Sequence, residues 1–185
     1  MKRLCLLGGE SSGKTTLARA LADALGTAWV PEYGRQRWEE LRETLGVDEL
    51  VRVAQHQIEL EDEVAQRSHG WLICDTSPLT TLQYCLADHG HAPPALHAMA
   101  RRHYDLAVLC LPDFDFVQDG CRRDDAFRHE QHAWTEPQLA LLGTKTLHVS
   151  GSVSQRVQTV LRAIGTPMMV TNPSKEQPPW PCTRF

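Results

Sequence analysis

The chain has 185 residues, enough for one domain with a full apolar core and no need of covalent staples. A hydrophobic content of 42% and a charged content of 23% are those of a globular protein, not of a disordered or fibrous one. A net charge of −4 argues against a general nucleic-acid binder, and no run approaches the roughly 18 apolar residues that span a membrane.

The N-terminus, Met1-Lys2-Arg3 before a short apolar stretch, imitates a signal peptide. That stretch is too short for an h-region and is needed as a strand, so the chain is expected in the cytoplasm. Apolar runs read as strands at 3–7, 28–30, 71–74, 105–110 and 146–149, with helical periodicity between them. Strand-then-helix alternation predicts an α/β fold whose parallel sheet is covered on both faces. Such sheets place ligands at the carboxyl ends of their strands, so the chemistry is sought just after each one.

The first run is followed by Gly8-Gly9-Glu10-Ser11-Ser12-Gly13-Lys14-Thr15, which fits G-x-x-x-x-G-K-[ST] between a strand and a helix carrying Leu17, Leu21, Ala24 and Leu25. A glycine-rich turn in that place aims backbone N–H groups inward as a nest for phosphates, and the helix N-terminus adds positive partial charge. The nest, with Thr16 just beyond it, is expected to hold a nucleoside triphosphate. Lys14 would reach the β- and γ-phosphates, and the Thr15 hydroxyl would ligate Mg²⁺.

The second run leads into Trp29-Val30-Pro31-Glu32-Tyr33-Gly34-Arg35. Glu32 is the candidate general base, its rival reading being a surface carboxylate paired with Arg35 or Arg37. Trp29, Tyr33 and Trp38 either belong to the core or form a slot for a flat ring. Asp48 is read as an N-cap, with Leu50, Val51, Ala54 and Ile58 along the apolar face of a long helix.

The third run ends in Asp75-Thr76, an apolar strand closed by the carboxylate of a Walker-B site for Mg²⁺. Pro78 opens the next helix, on which Thr80, Thr81 and Tyr84 either contact substrate or simply pack. Beyond the fourth run, Asp119-Gly120-Cys121-Arg122-Arg123-Asp124-Asp125, with Arg128 after it, reads as a lid that closes on a phosphoryl group; ion pairs to Asp124 and Asp125 are the rival account. The fifth run gives His148-Val149-Ser150-Gly151-Ser152, a loop that by P-loop kinase topology borders the adenine, and Ser152-x-x-Gln155 forms a capping box.

Of the six cysteines, Cys5, Cys74 and Cys110 lie in strand-like runs as small hydrophobes, and no disulfide is expected. His129-Glu130-Gln131-His132 is one residue short of the spacing that puts two imidazoles on one helix face, and it is read as solvated. Pro167, Pro173, Pro178, Pro179 and Pro181 rule out helix or central strand. The expected division is therefore a nucleotide-binding domain at 1–165 and a loosely attached tail at 166–185.

Taken together, Gly8–Thr15, then Glu32-Tyr33-Gly34-Arg35, then Asp75-Thr76-x-x-x-Thr80-Thr81, then Asp119-Gly120-x-Arg122 resemble the NadR-type ribosylnicotinamide kinase domain, from the first strand to about residue 164. The resemblance implies a P-loop kinase fold with a five-stranded parallel sheet. It implies transfer of the ATP γ-phosphoryl group to the 5′-hydroxyl of nicotinamide riboside, a small-molecule acceptor, giving nicotinamide mononucleotide. The aromatic cluster then has a chemical purpose, because a pyridinium ring is a flat cation that indole and phenol faces attract. On this reading Lys14, Glu32, Asp75, Arg122 and Arg128 are catalytic. Trp29, Tyr33, Arg35, Thr80 and Tyr84 hold the acceptor, Ser152 borders the nucleotide, and ATP and Mg²⁺ are the cofactors.

Two departures stand out. Many relatives carry a second carboxylate two residues after the Walker-B Asp, where this chain has Ser77. Multidomain relatives place an adenylyltransferase domain before the kinase, whereas this chain begins at its own P-loop and is expected to stop at the mononucleotide. A kinase for another nucleoside or nucleotide, or a P-loop regulatory module with little transfer activity, are the competing readings. A GTPase is disfavoured because N-K-x-D is absent and no D-x-x-G follows at switch distance. A ring ATPase is disfavoured by the lack of an extra helical domain.

Overall fold

The computed structural model describes residues 1–165; the segment read as a proline-rich tail lies outside them. Five strands are found: β1 (Lys2–Leu7), β2 (Trp29–Val30), β3 (Trp71–Asp75), β4 (Leu106–Cys110) and β5 (Thr146–Val149). All pair in parallel in the order β2-β3-β1-β4-β5. Parallel neighbours need long crossovers, and these are the helices α1 (Lys14–Leu25), α2 (Tyr33–Leu41), α3 (Val47–Arg67), α4 (Pro78–His89), α5 (Pro94–Met99), α6 (Asp125–Leu141) and α7 (Val153–Ala163).

Alternation along β1 divides the core in two. Leu4 and Leu6 join Ile73, Val108 and Cys110 against Leu17 and Leu21 of α1 and Val160 and Leu161 of α7. Cys5 and Leu7 point the other way, with Cys74 and Leu109, into a layer closed by Leu50, Val53 and Ala54 of α3, Leu79 and Leu82 of α4 and Leu96 of α5. With both faces covered, the central strands are continuously apolar, which is why they were readable as unbroken runs.

Local chemistry sets the helix ends. Ser77 accepts from Leu79 N with Pro78 in the first turn, Asp124 accepts from Phe127 N at 2.8 Å, and Ser152 and Gln155 complete their capping box. Ser77, two residues after Asp75, thus serves as the N-cap of α4.

Two expectations need correction. The second strand is only Trp29–Val30, and the chain turns at Pro31 into α2 with Glu32 as its N-cap residue. In α3 the N-cap position is Gly46, and Asp48 lies inside the first turn, where the helix dipole favours a carboxylate. Its buried stripe is Leu50, Val53, Ala54, Gln57 and Glu61, while Val51 and Ile58 are half-buried. Of its two polar positions, Glu61 is satisfied inside the core by Tyr104 Oη and Arg102 Nε, at 3.0 and 2.9 Å, and Gln57 Oε1 accepts from Tyr33 N at 3.0 Å. Among the described residues no helix is long and apolar enough to cross a membrane.

Candidate active site

Between β1 and α1 the backbone turns through positive φ at Gly8 (131°), Ser11 (52°) and Gly13 (79°). Gly8 and Gly9 also permit close approach. A Cβ on Gly8 would stand 2.5 Å from the Cys110 carbonyl oxygen, and one on Gly9 would stand 2.2 Å from that of Arg128. The Lys14 ammonium bridges this loop, donating to Gly8 O at 3.0 Å and Gly9 O at 2.8 Å. From α7, the buried Arg156 guanidinium props the loop from behind. It donates to Ser12 O at 2.7 Å, Leu111 O at 3.1 Å and Gly151 O at 3.0 Å, and it pairs with Asp113.

The loop opens onto a cleft of about 310 Å³. Lys14 and Thr15 form one end of it, and Glu32, Arg35 and Trp38 come from the start of α2. Thr80, Thr81, Tyr84 and Asp88 come from α4, and Arg122 and Arg123 from the segment before α6. Parallel pairing of β1 with β3 places Asp75 opposite Leu6, one strand away from the loop. Asp75 is buried, and its Oδ1 has no hydrogen-bond partner. Burial pushes its carboxyl above the usual range, while the Thr15 hydroxyl and the Lys14 charge pull it back. Thr76 follows at φ 97°, a strained backbone for a β-branched residue, and lines the cleft. Across the cleft, burial raises the Glu32 carboxyl to about 7; Lys14 and Arg35 oppose the rise, and Asp75 and Glu10 add to it.

The arginine-bearing segment is tied down on three sides. Asp119 accepts from Arg35 Nη2 at 2.5 Å and pairs with Arg122 at 3.0 Å. Arg123 pairs with Asp88 and lies over the Phe127 ring, 4.1 Å from its centre. Val117 N donates to Ser11 Oγ at 3.0 Å. A second groove, of about 530 Å³, lies on the far side of the loop. Ser11, Gly13 and Thr16 form one wall, Phe114 and Val117 another, and Gly151, Ser152 and Val153 the third.

Trp29, Tyr33 and Arg128, expected at the acceptor or the phosphates, do not line the cleft, and neither do Gly9, which lies against the Arg128 backbone, and the buried Asp75. Trp29 packs in the layer against α1, with the Arg19 guanidinium 5.3 Å from its ring. Tyr33 lies tilted against His56, ring centres 4.2 Å apart, and packs on α3, since the first turn of α2 turns it away. Arg128 is buried on α6, donating to Phe114 O at 2.8 Å and pairing with Asp125 at 2.5 Å, so it supports the loop around Gly9. Trp38 and Tyr84 supply the aromatic walls of the cleft. Arg156, Asp88 and the Glu10 side chain were not anticipated for what they do here. Arg156 and Asp88 sit on helices where nothing local sets them apart from surface charges, and Asp113, just after the fourth strand, is the nearby carboxylate that pairs with Arg156.

A family model described as AAA domain matches residues 3–156. The chain belongs to that family. Over 130 residues it is 29% identical to the Trifunctional NAD biosynthesis/regulator protein NadR of Escherichia coli (strain K12), an alignment covering 66% of this chain and 31% of the relative. The chain thus spans about a third of that relative's length. Among solved structures, a NadR protein in complex with NR superposes with a TM-score of 0.78 at 22% identity, over 92% of this chain and 54% of that one. A thymidylate kinase from Ehrlichia chaffeensis superposes with a TM-score of 0.63 at 13% identity, over 88% and 98%. This AAA-domain chain therefore has the P-loop kinase fold expected from its motifs, and its likeness to NadR appears in both sequence and structure.

Proposed function

We propose that this chain is an ATP-dependent nucleoside kinase that phosphorylates the 5′-hydroxyl of nicotinamide riboside, giving nicotinamide mononucleotide. The observation that carries the reading is the placement of Glu32, with its carboxyl raised to about 7, across one cleft from Lys14 and the phosphate loop. A base poised near neutrality takes the acceptor proton as the 5′-oxygen attacks the γ-phosphorus and the bond to the β-phosphate oxygen breaks, releasing ADP. Lys14 exchanges its loop carbonyls for phosphate oxygens, and Arg122 and Arg35 face the charge that spreads over the transferring group. Trp38 and Tyr84 offer aromatic faces to a pyridinium ring. The second groove, with Ser152 at its edge, suits the nucleotide base.

Mg²⁺ fits the residues present. A buried carboxylate oxygen without a partner, on Asp75, and the adjacent Thr15 hydroxyl are hard oxygen donors. Asp75 and Thr15 would hold the ion, which when bound neutralises phosphate charge. The likeness to a NadR structure in complex with NR supports the choice of acceptor. Incubation with Mg-ATP and a panel of nucleosides and nucleotides, read by mass, tests it. Nicotinamide riboside should gain one phosphate in an acceptor-dependent reaction. Phosphate on another acceptor alone, or slow acceptor-independent hydrolysis, defeats the nicotinamide riboside reading.

A further inference from the structure

Glu10 occupies one of the variable positions of the phosphate loop, where only backbone amides are needed, yet its side chain is buried and fully engaged. Its Oε1 accepts from Tyr84 Oη at 2.8 Å, and its Oε2 accepts from the backbone N–H of Arg123 at 2.7 Å. Its own N–H donates to Gln131 Oε1 at 2.8 Å, and Gln131 O in turn accepts from Gln83 Nε2 at 3.0 Å. One carboxylate thus joins the donor loop to the aromatic wall on α4 and to the arginine segment before α6.

We infer that Glu10 is a positioning residue that couples the phosphate loop to closure of the Arg122–Arg123 segment and to the set of the Tyr84 ring against the acceptor. The inference rests on the kinase reading only for its second half. The tie to the Arg123 amide exists whatever the acceptor is.

The chemistry of the two bonds is specific. A carboxylate is an acceptor at both oxygens, matching a hydroxyl donor and an amide donor. The Arg123 N–H cannot reverse its role, whereas the Tyr84 hydroxyl can accept as well as donate. Glu10→Gln therefore keeps both bonds, with its carbonyl oxygen on Arg123 N and its NH₂ on the Tyr84 oxygen. Glu10→Ala keeps neither, and Glu10→Gln with Tyr84→Phe keeps only the lid bond. Movement of the donor loop on filling is then transmitted to both walls of the acceptor site through a single side chain, which is how two ligands come to share a coupling free energy.

The test is amide hydrogen exchange of the full chain across 117–128, with and without Mg²⁺ and a non-hydrolysable ATP analogue, together with steady-state kinetics on nicotinamide riboside. Exchange at the Arg123 amide should rise about tenfold or more in Glu10→Ala and stay within about threefold of wild type in Glu10→Gln. Acceptor KM should rise about tenfold in Glu10→Ala, and the ATP KM measured at saturating acceptor should rise alongside it, as reciprocal coupling requires. Unchanged exchange in Glu10→Ala overturns the inference, as does a kinetic loss confined to ATP KM or a Glu10→Gln as impaired as Glu10→Ala. If nicotinamide riboside proves not to be a substrate, the proposed function fails, and the exchange experiment still decides the role of Glu10.

Discussion

Gly9 and Arg128 touch so closely that a Cβ on the glycine would fall 2.2 Å from the arginine's carbonyl oxygen and 2.8 Å from its Cγ. The first of these atoms is backbone of α6 and cannot step aside without moving the helix. Gly9→Ala should therefore displace either the phosphate loop or the start of α6. The expected result is at least a tenfold loss of affinity for a triphosphate analogue, by calorimetry, and a lowered Tm. Gly26→Ala, at a helix end with φ 61° and nothing within 4 Å, should lower Tm through backbone strain yet leave nucleotide affinity unchanged, which separates the two readouts.

Arg156 tests whether the loop is propped from behind. All three of its nitrogens are committed, to Ser12 O, Leu111 O, Gly151 O and Asp113, and only 2% of the residue is exposed. Arg156→Ala should cost about 3 kcal/mol, because it strands buried carbonyls and the Asp113 charge together. Arg156→Lys should recover only part of this, since one ammonium cannot reproduce a planar fork spanning three carbonyls. Denaturant melts of the two variants measure both values.

How much of this was legible in the sequence depends on the physics that wrote each part. The five strands and the phosphate loop could be read because buried parallel strands are unbroken apolar runs and the loop's glycines answer a backbone demand. Asp75 was readable for the same reason, standing where an apolar run stops. The aromatic wall of the cleft was not. Trp29, Tyr33 and Trp38 are equivalent as letters, and which of them faces the cleft depends on the chain turning into α2 at Pro31 after a strand of only two residues. The ties of the Glu10 side chain and of Arg156 were missed because, Gly151 aside, their partners lie 43 to 144 residues away, beyond any local pattern.

Lys14 should be separable from stability. Among the described residues its ammonium donates hydrogen bonds only to the carbonyls of Gly8 and Gly9, so Lys14→Ala should leave Tm within a few degrees of wild type. Turnover should fall about 10²–10³-fold, the usual loss when one charge-stabilising donor is removed. Lys14 is also the largest influence holding the Glu32 carboxyl down. The pH profile of the residual activity should therefore move upward, a shift that mere weakening of ATP binding would not produce.

In the proposed role, Glu32 joins catalysis to stability with opposite signs. Its carboxyl rises from the ordinary 4.5 to about 7 on folding, chiefly through burial, so the folded chain binds that proton more tightly than the unfolded one. The stability this lends is fully present below about 4.5 and is lost as pH rises through about 7, leaving an ionised Glu32 that strains the cleft at pH 8. Glu32→Gln should remove the strain, raising stability at pH 8 by about 1–3 kcal/mol and flattening the pH dependence of Tm between 5 and 8. The same change removes the proposed base. kcat should fall about 10²–10⁴-fold, and the rise of wild-type kcat/KM with pH, centred near 7, should disappear. If only KM changes, Glu32 holds the acceptor instead of deprotonating it. A variant more stable yet nearly inactive is the signature of a carboxylate kept in the cleft for chemistry, against the preference of the fold.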